Sequence, residues 1–96
     1  IIGAHLGGLN MCDDTAQTLA GRDNVYLETS MTYGRISAFL AETIIRKHNL
    51  NNIFFGSDYP FAPIQQSVQS ALGTPFVNEE EKKALMGLNA KAFFSI

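Results

Sequence analysis

Three short apolar runs constrain this chain most, because each stops abruptly at a polar residue and is followed by a helical pattern. Ile1 to Ala4 stops at His5, Asn24-Val25-Tyr26-Leu27-Glu28-Thr29 at Ser30, and Asn52-Ile53-Phe54-Phe55-Gly56 at Ser57-Asp58. Near-continuous apolar runs of this kind suit parallel strands covered on both faces. Between them the spacing predicts a short helix over 13–20, closed by Gly21, and a long one over 33–48. In the long one Ile36, Phe39, Leu40, Thr43, Ile44 and Lys47 form an amphipathic stripe. Pro63 opens a helix over 64–72 that Gly73 ends. Asn78 then caps Glu79-Glu80-Glu81, whose carboxylates meet the positive end of the helix dipole. Gly87 is the expected stop, and Asn89 starts a last helix through Phe94. Strands alternating with helices at this spacing mean right-handed βαβ units and a parallel sheet. No internal repeat, low-complexity tract or linker interrupts the order, so 1–96 reads as a single domain.

Composition excludes several classes. The 96 residues suffice for one small domain, and 46% hydrophobic with 17% charged residues rules out a disordered tail or a coiled coil. Net charge is -2 and the seven Lys and Arg residues are scattered, so no nucleic-acid partner is expected. No apolar run approaches the roughly 20 residues that would span a bilayer, so no membrane partner is expected either. Cys12 is the sole cysteine, which precludes an internal disulfide and suits a reducing, cytoplasmic setting. The chain opens on Ile1-Ile2 without an initiator methionine or a basic n-region, and is expected to be one piece of a longer polypeptide.

Side chains alternate along a strand, so the strand ends can be sorted by face. Asp58 shares a face with Gly56 and Phe54, and His5 with Gly3 and Ile1. With Val25 and Leu27 under helices, Glu28 and Ser30 fall on the face of His5 and Asp58. Three neighbouring strands then present His, Ser and Asp at their carboxyl ends, the edge where ligands bind in open α/β sheets and barrels. A converging His and Asp can ligate a divalent metal or act as acid and base around metal-bound water. Two groups are too few for a catalytic zinc, which wants three protein ligands, so others must come from outside the chain or be absent.

Each residue also has a plainer reading. His5 can be a backbone-bonded buried histidine, although Gly7-Gly8 beside it would let a ligand approach closely. Asp58 can be an N-cap ahead of Pro60, and Glu28 a structural ion-pair partner or hydrogen-bond acceptor. His48 sits in the last turn of the long helix, where a cation favours the dipole. Cys12 is expected to be a small buried residue, and 79–83 a solvated helix start.

The motifs Ile1-Ile2-Gly3-Ala4-His5-Leu6-Gly7-Gly8, Asn24 to Ser30, Ile53-Phe54-Phe55-Gly56-Ser57-Asp58-Tyr59-Pro60 and Gly87-Leu88-Asn89-Ala90 occur in that order. Together they resemble, over essentially the whole chain, the C-terminal part of the amidohydrolase-related (amidohydrolase 2) family of metal-dependent hydrolases. Gly-Ser-Asp-Tyr-Pro after an apolar strand is the most specific piece. The resemblance implies a TIM (β/α)8 barrel with a divalent metal at the carboxyl ends of its strands, the three strands here matching the sixth, seventh and eighth. It implies that Asp58 binds the metal or its water. It implies further that His5 is the acid/base group of the family's decarboxylases, or lies by the metal in its hydrolases. Ser30 is carried as a candidate substrate-binding residue, without a firm match to a family catalytic position. The first-strand His-x-His motif and the fifth-strand histidine of the family are missing from this sequence.

The expectation is therefore a partial barrel from a hydrolase acting on an ester, lactone or amide, or from a related non-oxidative decarboxylase. Its metal would be zinc or manganese, with His5 and Asp58 as both catalytic and metal residues. The chain alone is expected to be inactive and to bind metal weakly or not at all, and to assemble as a homo-oligomer or with the missing barrel half. Two rivals stand beside this reading. One is a non-catalytic truncated paralogue or a binding or assembly module that keeps the fold. The other, a phosphate-binding α/β domain, lacks a lysine or hydroxyl in the Gly7-Gly8 loop.

Overall fold

The computed structural model describes residues 1–95. Strands β1 (Ile2–Gly3), β2 (Tyr26–Glu28) and β3 (Ile53–Phe54) form a parallel sheet in chain order, with Gly3 opposite Leu27 and Leu27 opposite Ile53. Helix α1 (Cys12–Thr18) lies between the first two strands and α2 (Ala38–His48) between the second and third. Helices α3 (Ile64–Leu72), α4 (Glu79–Lys83) and α5 (Asn89–Phe94) follow β3. The alternation is thus the expected one, with strands shorter than their apolar runs.

The core lies on one side of the sheet. Val25, Leu27 and Ile53 are buried against Ile44 and Ile45 of α2, with Leu6, Cys12 and Leu85 closing the cluster. Leu27, Ile44 and Ile53 are wholly inaccessible. Burying a side chain of this size stabilises the fold by about 1.5–3 kcal/mol, so the outward parity of Val25 and Leu27 is energetically decisive. On the opposite side Tyr26 stacks on Phe54 at 5.6 Å, and Phe93 of α5 meets Tyr26 edge-on at 4.6 Å. Phe54 is buried as a result, whereas Ile1, on the same sequence parity, is 85% exposed.

Two helices differ from the periodicity. The long helix begins at Ala38 rather than Tyr33, because Met31 and Gly34 adopt positive φ and the Ser37 side chain caps Leu40 N–H at 3.1 Å. Its inward stripe is Leu40, Ala41, Ile44, Ile45 and His48, leaving Phe39, Thr43 and Lys47 outside. The cap sets the phase of the helix, and two apolar stripes overlap at Leu40 and Ile44, so spacing alone does not distinguish them. Gly87 does not end its helix either. Ala84–Leu88 is a π-helical turn that joins α4 to α5, and Leu85 C=O accepts Phe55 N–H at 3.0 Å. The wider turn thus satisfies the backbone just beyond β3.

Two polar devices hold this C-terminal unit. Asn78 and Glu81 form a reciprocal capping box, and Arg46 of α2 binds both oxygens of the Glu81 carboxylate and the Phe76 carbonyl. That pairing and the Asn78 backbone hold the Glu81 carboxyl well below its usual range, at about 2. Asn89 Nδ2 donates to Leu50 C=O at 2.7 Å and Ile53 C=O at 2.9 Å, pinning α5 to the start of β3.

Candidate active site

Just past β1 the chain enters a tight turn in which His5, Leu6 and Gly7 have φ of 57°, 50° and 97°. Left-handed backbone costs an L-residue about 1–2 kcal/mol, so this turn must be held by its surroundings. Leu6 is buried in the core, Gly7 N–H bonds to Ala4 C=O at 2.9 Å, and His5 N–H bonds to Glu28 Oε1 at 3.1 Å. The two glycines face helix α1 rather than a ligand. A Cβ on Gly7 would lie 2.5 Å from Thr15 Oγ1, and one on Gly8 would lie 3.1 Å from Met11 Cβ.

Glu28 ends β2 and Ser30 lies just beyond it. Glu28 Oε1 accepts three hydrogen bonds: from His5 N–H, from Ser30 N–H at 3.1 Å and from Ser30 Oγ–H at 2.5 Å. The Ser30 hydroxyl and backbone carbonyl lie 2.9 and 3.0 Å from His5 Nδ1. Ser30 is 2% exposed and its hydroxyl is engaged within the protein.

Asp58, with φ of 61°, stands beyond β3 and turns the chain through its carbonyl, which accepts Phe61 N–H at 2.9 Å. The next helix starts only at Ile64, behind Pro63, so the expected cap is not the use made of Asp58. Its Oδ2 lies 4.0 Å from His5 Nε2, with side chains 24% (His5) and 39% (Asp58) exposed. The structure therefore brings His5, Ser30 and Asp58 together at the carboxyl ends of the three strands, with Glu28 beneath them. A cavity of about 200 Å³ lies between the segments that follow β2 and β3, lined by Met31, Arg35, Phe61 and Gln66 among others but by none of His5, Glu28, Ser30 or Asp58.

The donor pair can be tested against a metal. Zinc–nitrogen and zinc–oxygen bonds are each about 2.0–2.2 Å, so two donors at a tetrahedral angle lie about 3.4 Å apart. At 4.0 Å His5 Nε2 and Asp58 Oδ2 are too far apart for a direct hydrogen bond and wider than two tetrahedral donors, so they would have to close by about half an ångström to share an ion. Among the described residues no set of three His, Cys, Asp or Glu side chains converges, so an ion at this pair would need further ligands from outside the chain.

Elsewhere the reactive groups are structural. Cys12 is buried, and burial followed by the nearby Asp13 charge pushes its thiol up. Burial pushes the Tyr33 phenol up to about 12, against the opposing effect of its 2.7 Å hydrogen bond with Thr29 Oγ1. His48 is not the solvent-facing cation that its helix position suggests. It is buried, its Nδ1 accepts Gly21 N–H at 3.0 Å, and burial holds its pKa below the ordinary value.

Sequence reasoning did not identify Glu28 as the tether of the site, nor Gly56 as the space that admits it. The available signal was parity, since Glu28, Ser30 and Gly56 all fall on the site face. What joins them is contact across strands, which no sequence spacing displays.

Against known proteins, the family model described as amidohydrolase matches residues 1–96. No curated protein matches the chain. Similar solved structures include a dihydroxybenzoic acid decarboxylase from Polaromonas sp. JS666 with bound manganese and the inhibitor 2-nitroresorcinol. It is 19% identical, with a TM-score of 0.75 over 99% of this chain and 33% of that one. The 5-carboxyvanillate decarboxylase of Sphingomonas paucimobilis is 24% identical, with a TM-score of 0.75 over 100% of this chain and 33% of that one. A 2,6-dihydroxybenzoate decarboxylase from Rhizobium is 20% identical, with a TM-score of 0.74 over 99% and 34%. The chain thus spans about a third of the length of these proteins, and the shared feature at such identities is the fold, that of part of a (β/α)8 barrel.

Proposed function

The chain belongs to the amidohydrolase family, and from that premise we propose that it is the part of a metal-dependent, non-oxidative decarboxylase that carries His5 and Asp58. The observation that carries the reading is the 4.0 Å approach of His5 Nε2 to Asp58 Oδ2 at the strand ends. The similar structures support it, since those named above are decarboxylases of aromatic acids and one holds manganese. A bound manganese or zinc ion would supply an electrophile that draws a hydroxylated carboxylic acid into the site and stabilises negative charge on its oxygens. Asp58, with His5 beside it, is the anionic donor for that ion, and the remaining donors come from outside this chain.

The chain's own part is then positioning and proton movement. Decarboxylation breaks the bond from ring carbon to carboxylate carbon, carbon dioxide leaves, and the ring carbon takes a proton. His5 Nε2, directed away from the Ser30 contacts, would take a proton from solvent onto its lone pair and pass it to the ring carbon, returning to the neutral ring. Ser30, engaged by His5 and Glu28, serves this site by orienting His5. Because β1 and β3 each have an open edge, the chain is active only with the rest of a barrel or with further copies beside it.

Hydrolysis of an ester, lactone or amide is the second reading, since Asp58 beside His5 also suits activation of a metal-bound water. The test is a paired assay on the intact protein supplied with manganese or zinc. Carbon dioxide release from hydroxybenzoates is measured against hydrolysis of aryl esters and lactones. Metal-dependent release of carbon dioxide, abolished in Asp58→Ala and His5→Asn, is the expected result. Ester or lactone turnover without decarboxylation would replace the proposal with the hydrolase reading.

A further inference from the structure

We propose that Glu28 and Ser30 are positioning residues that fix His5 in the tautomer carrying its hydrogen on Nδ1, so that the Nε2 lone pair faces Asp58. The inference gives the site of the proposed decarboxylase its proton-handling atom, but it stands on hydrogen-bond chemistry alone. A backbone carbonyl can only accept, so the Ser30 carbonyl, 3.0 Å from His5 Nδ1, requires a hydrogen on that nitrogen. The Ser30 hydroxyl could face the ring either way, were it not committed elsewhere. Its single hydrogen goes to Glu28 Oε1 at 2.5 Å, which leaves only lone pairs toward Nδ1, 2.9 Å away. Both contacts therefore select the same tautomer.

Glu28 does more than orient the hydroxyl. The same oxygen takes the N–H groups of His5 and Ser30, tying the left-handed turn after β1 to the end of β2. The imidazole and its two acceptors are thus held by one carboxylate oxygen. Partners that set the tautomer of a site histidine are typically worth 10–100-fold in metal affinity or activity.

The chain supplies its own contrast. His48 Nδ1 accepts Gly21 N–H at 3.0 Å, so its hydrogen must be on Nε2. The chain has two histidines, and the structure assigns them opposite tautomers.

The experiment is ¹⁵N NMR of the imidazoles in the intact, histidine-labelled protein without added metal, at a pH where both rings are neutral. The expected spectrum shows His5 as the Nδ1–H form and His48 as the Nε2–H form. Glu28→Gln keeps an acceptor in place and should retain the His5 pattern. Glu28→Leu removes it and should give mixed His5 tautomers, with His48 unchanged. A merely structural glutamate would lower stability yet leave the tautomer of the folded protein as it was. An Nε2–H signature for wild-type His5, or a pure Nδ1–H signature in folded Glu28→Leu, would overturn the inference. The wild-type spectrum decides even if the leucine variant does not fold. Since no substrate is involved, failure of the decarboxylase reading would leave this result untouched.

Discussion

Replacing Gly56 by alanine is a one-methyl perturbation whose sign tests the geometry beneath the site. A Cβ at position 56 would lie 1.6 Å from Glu28 Oε2 and 2.6 Å from Cδ. The carboxylate must therefore retreat by about 1.5 Å to reach ordinary contact. Its Oε1 currently accepts hydrogen bonds of 3.1, 3.1 and 2.5 Å, and a shift of that size takes them beyond bonding distance. Each is worth about 0.5–1.5 kcal/mol net, so the loss is about 1.5–4.5 kcal/mol. Gly56 is not among the residues of positive φ, and a glycine-to-alanine change at such a position ordinarily stabilises by about 0.4–1 kcal/mol. The balance is a destabilisation of about 0.5–4 kcal/mol, or a fall in Tm of roughly 2–30 °C for a domain of this size. Urea unfolding followed by far-UV circular dichroism measures it, with Glu28→Ala as the second arm of a double-mutant cycle. In that background the clash is gone, and Gly56→Ala should be neutral or stabilising. A Gly56→Ala protein as stable as the parent in the wild-type background would refute the packing argument.

Three further outcomes are expected. Asn89→Ala strands the Leu50 and Ile53 carbonyls, at a cost of about 2–4 kcal/mol, and thermal unfolding should show a Tm at least 8 °C lower. Burial lowers the His48 pKa in the folded state, so the unfolded chain binds its proton first; the stability contributed is present above the unfolded value of about 6.5 and is lost as the pH falls from there through the lower folded value. His48→Asn, which keeps an acceptor for Gly21 N–H, should flatten that part of the pH–stability curve, and an unchanged slope would exclude His48 as its source. The Glu81 carboxyl should titrate near 2 by ¹³C NMR and return toward the ordinary carboxylate range in Arg46→Gln, because pairing with Arg46 is the largest cause of its depression.

The order of strands and helices, the burial of Val25 and Leu27, and the meeting of His5 with Asp58 were legible in the sequence. All three follow from local periodicity, since a two-residue repeat sends alternate side chains to opposite faces and parallel strands align their carboxyl ends. The capping box at Asn78 and the helix after Pro63 were legible too, because caps act within a single turn. Other features were decided by groups far apart along the chain. The start of the long helix depended on a left-handed turn at Met31 and Gly34, and its buried stripe on which face met the sheet. Gly87 passed through a π-helical turn because the Leu85 carbonyl had a partner at Phe55, thirty residues earlier. His48 became a neutral acceptor because Gly21, on another loop, offered an unpaired N–H. Glu28, read from sequence as an acceptor without a known partner, became the tether of the site only when the β1 turn and Ser30 were brought around it. Periodicity records which face a residue occupies, but a hydrogen bond depends on distance and angle between particular atoms, and those are set when the strands pack together.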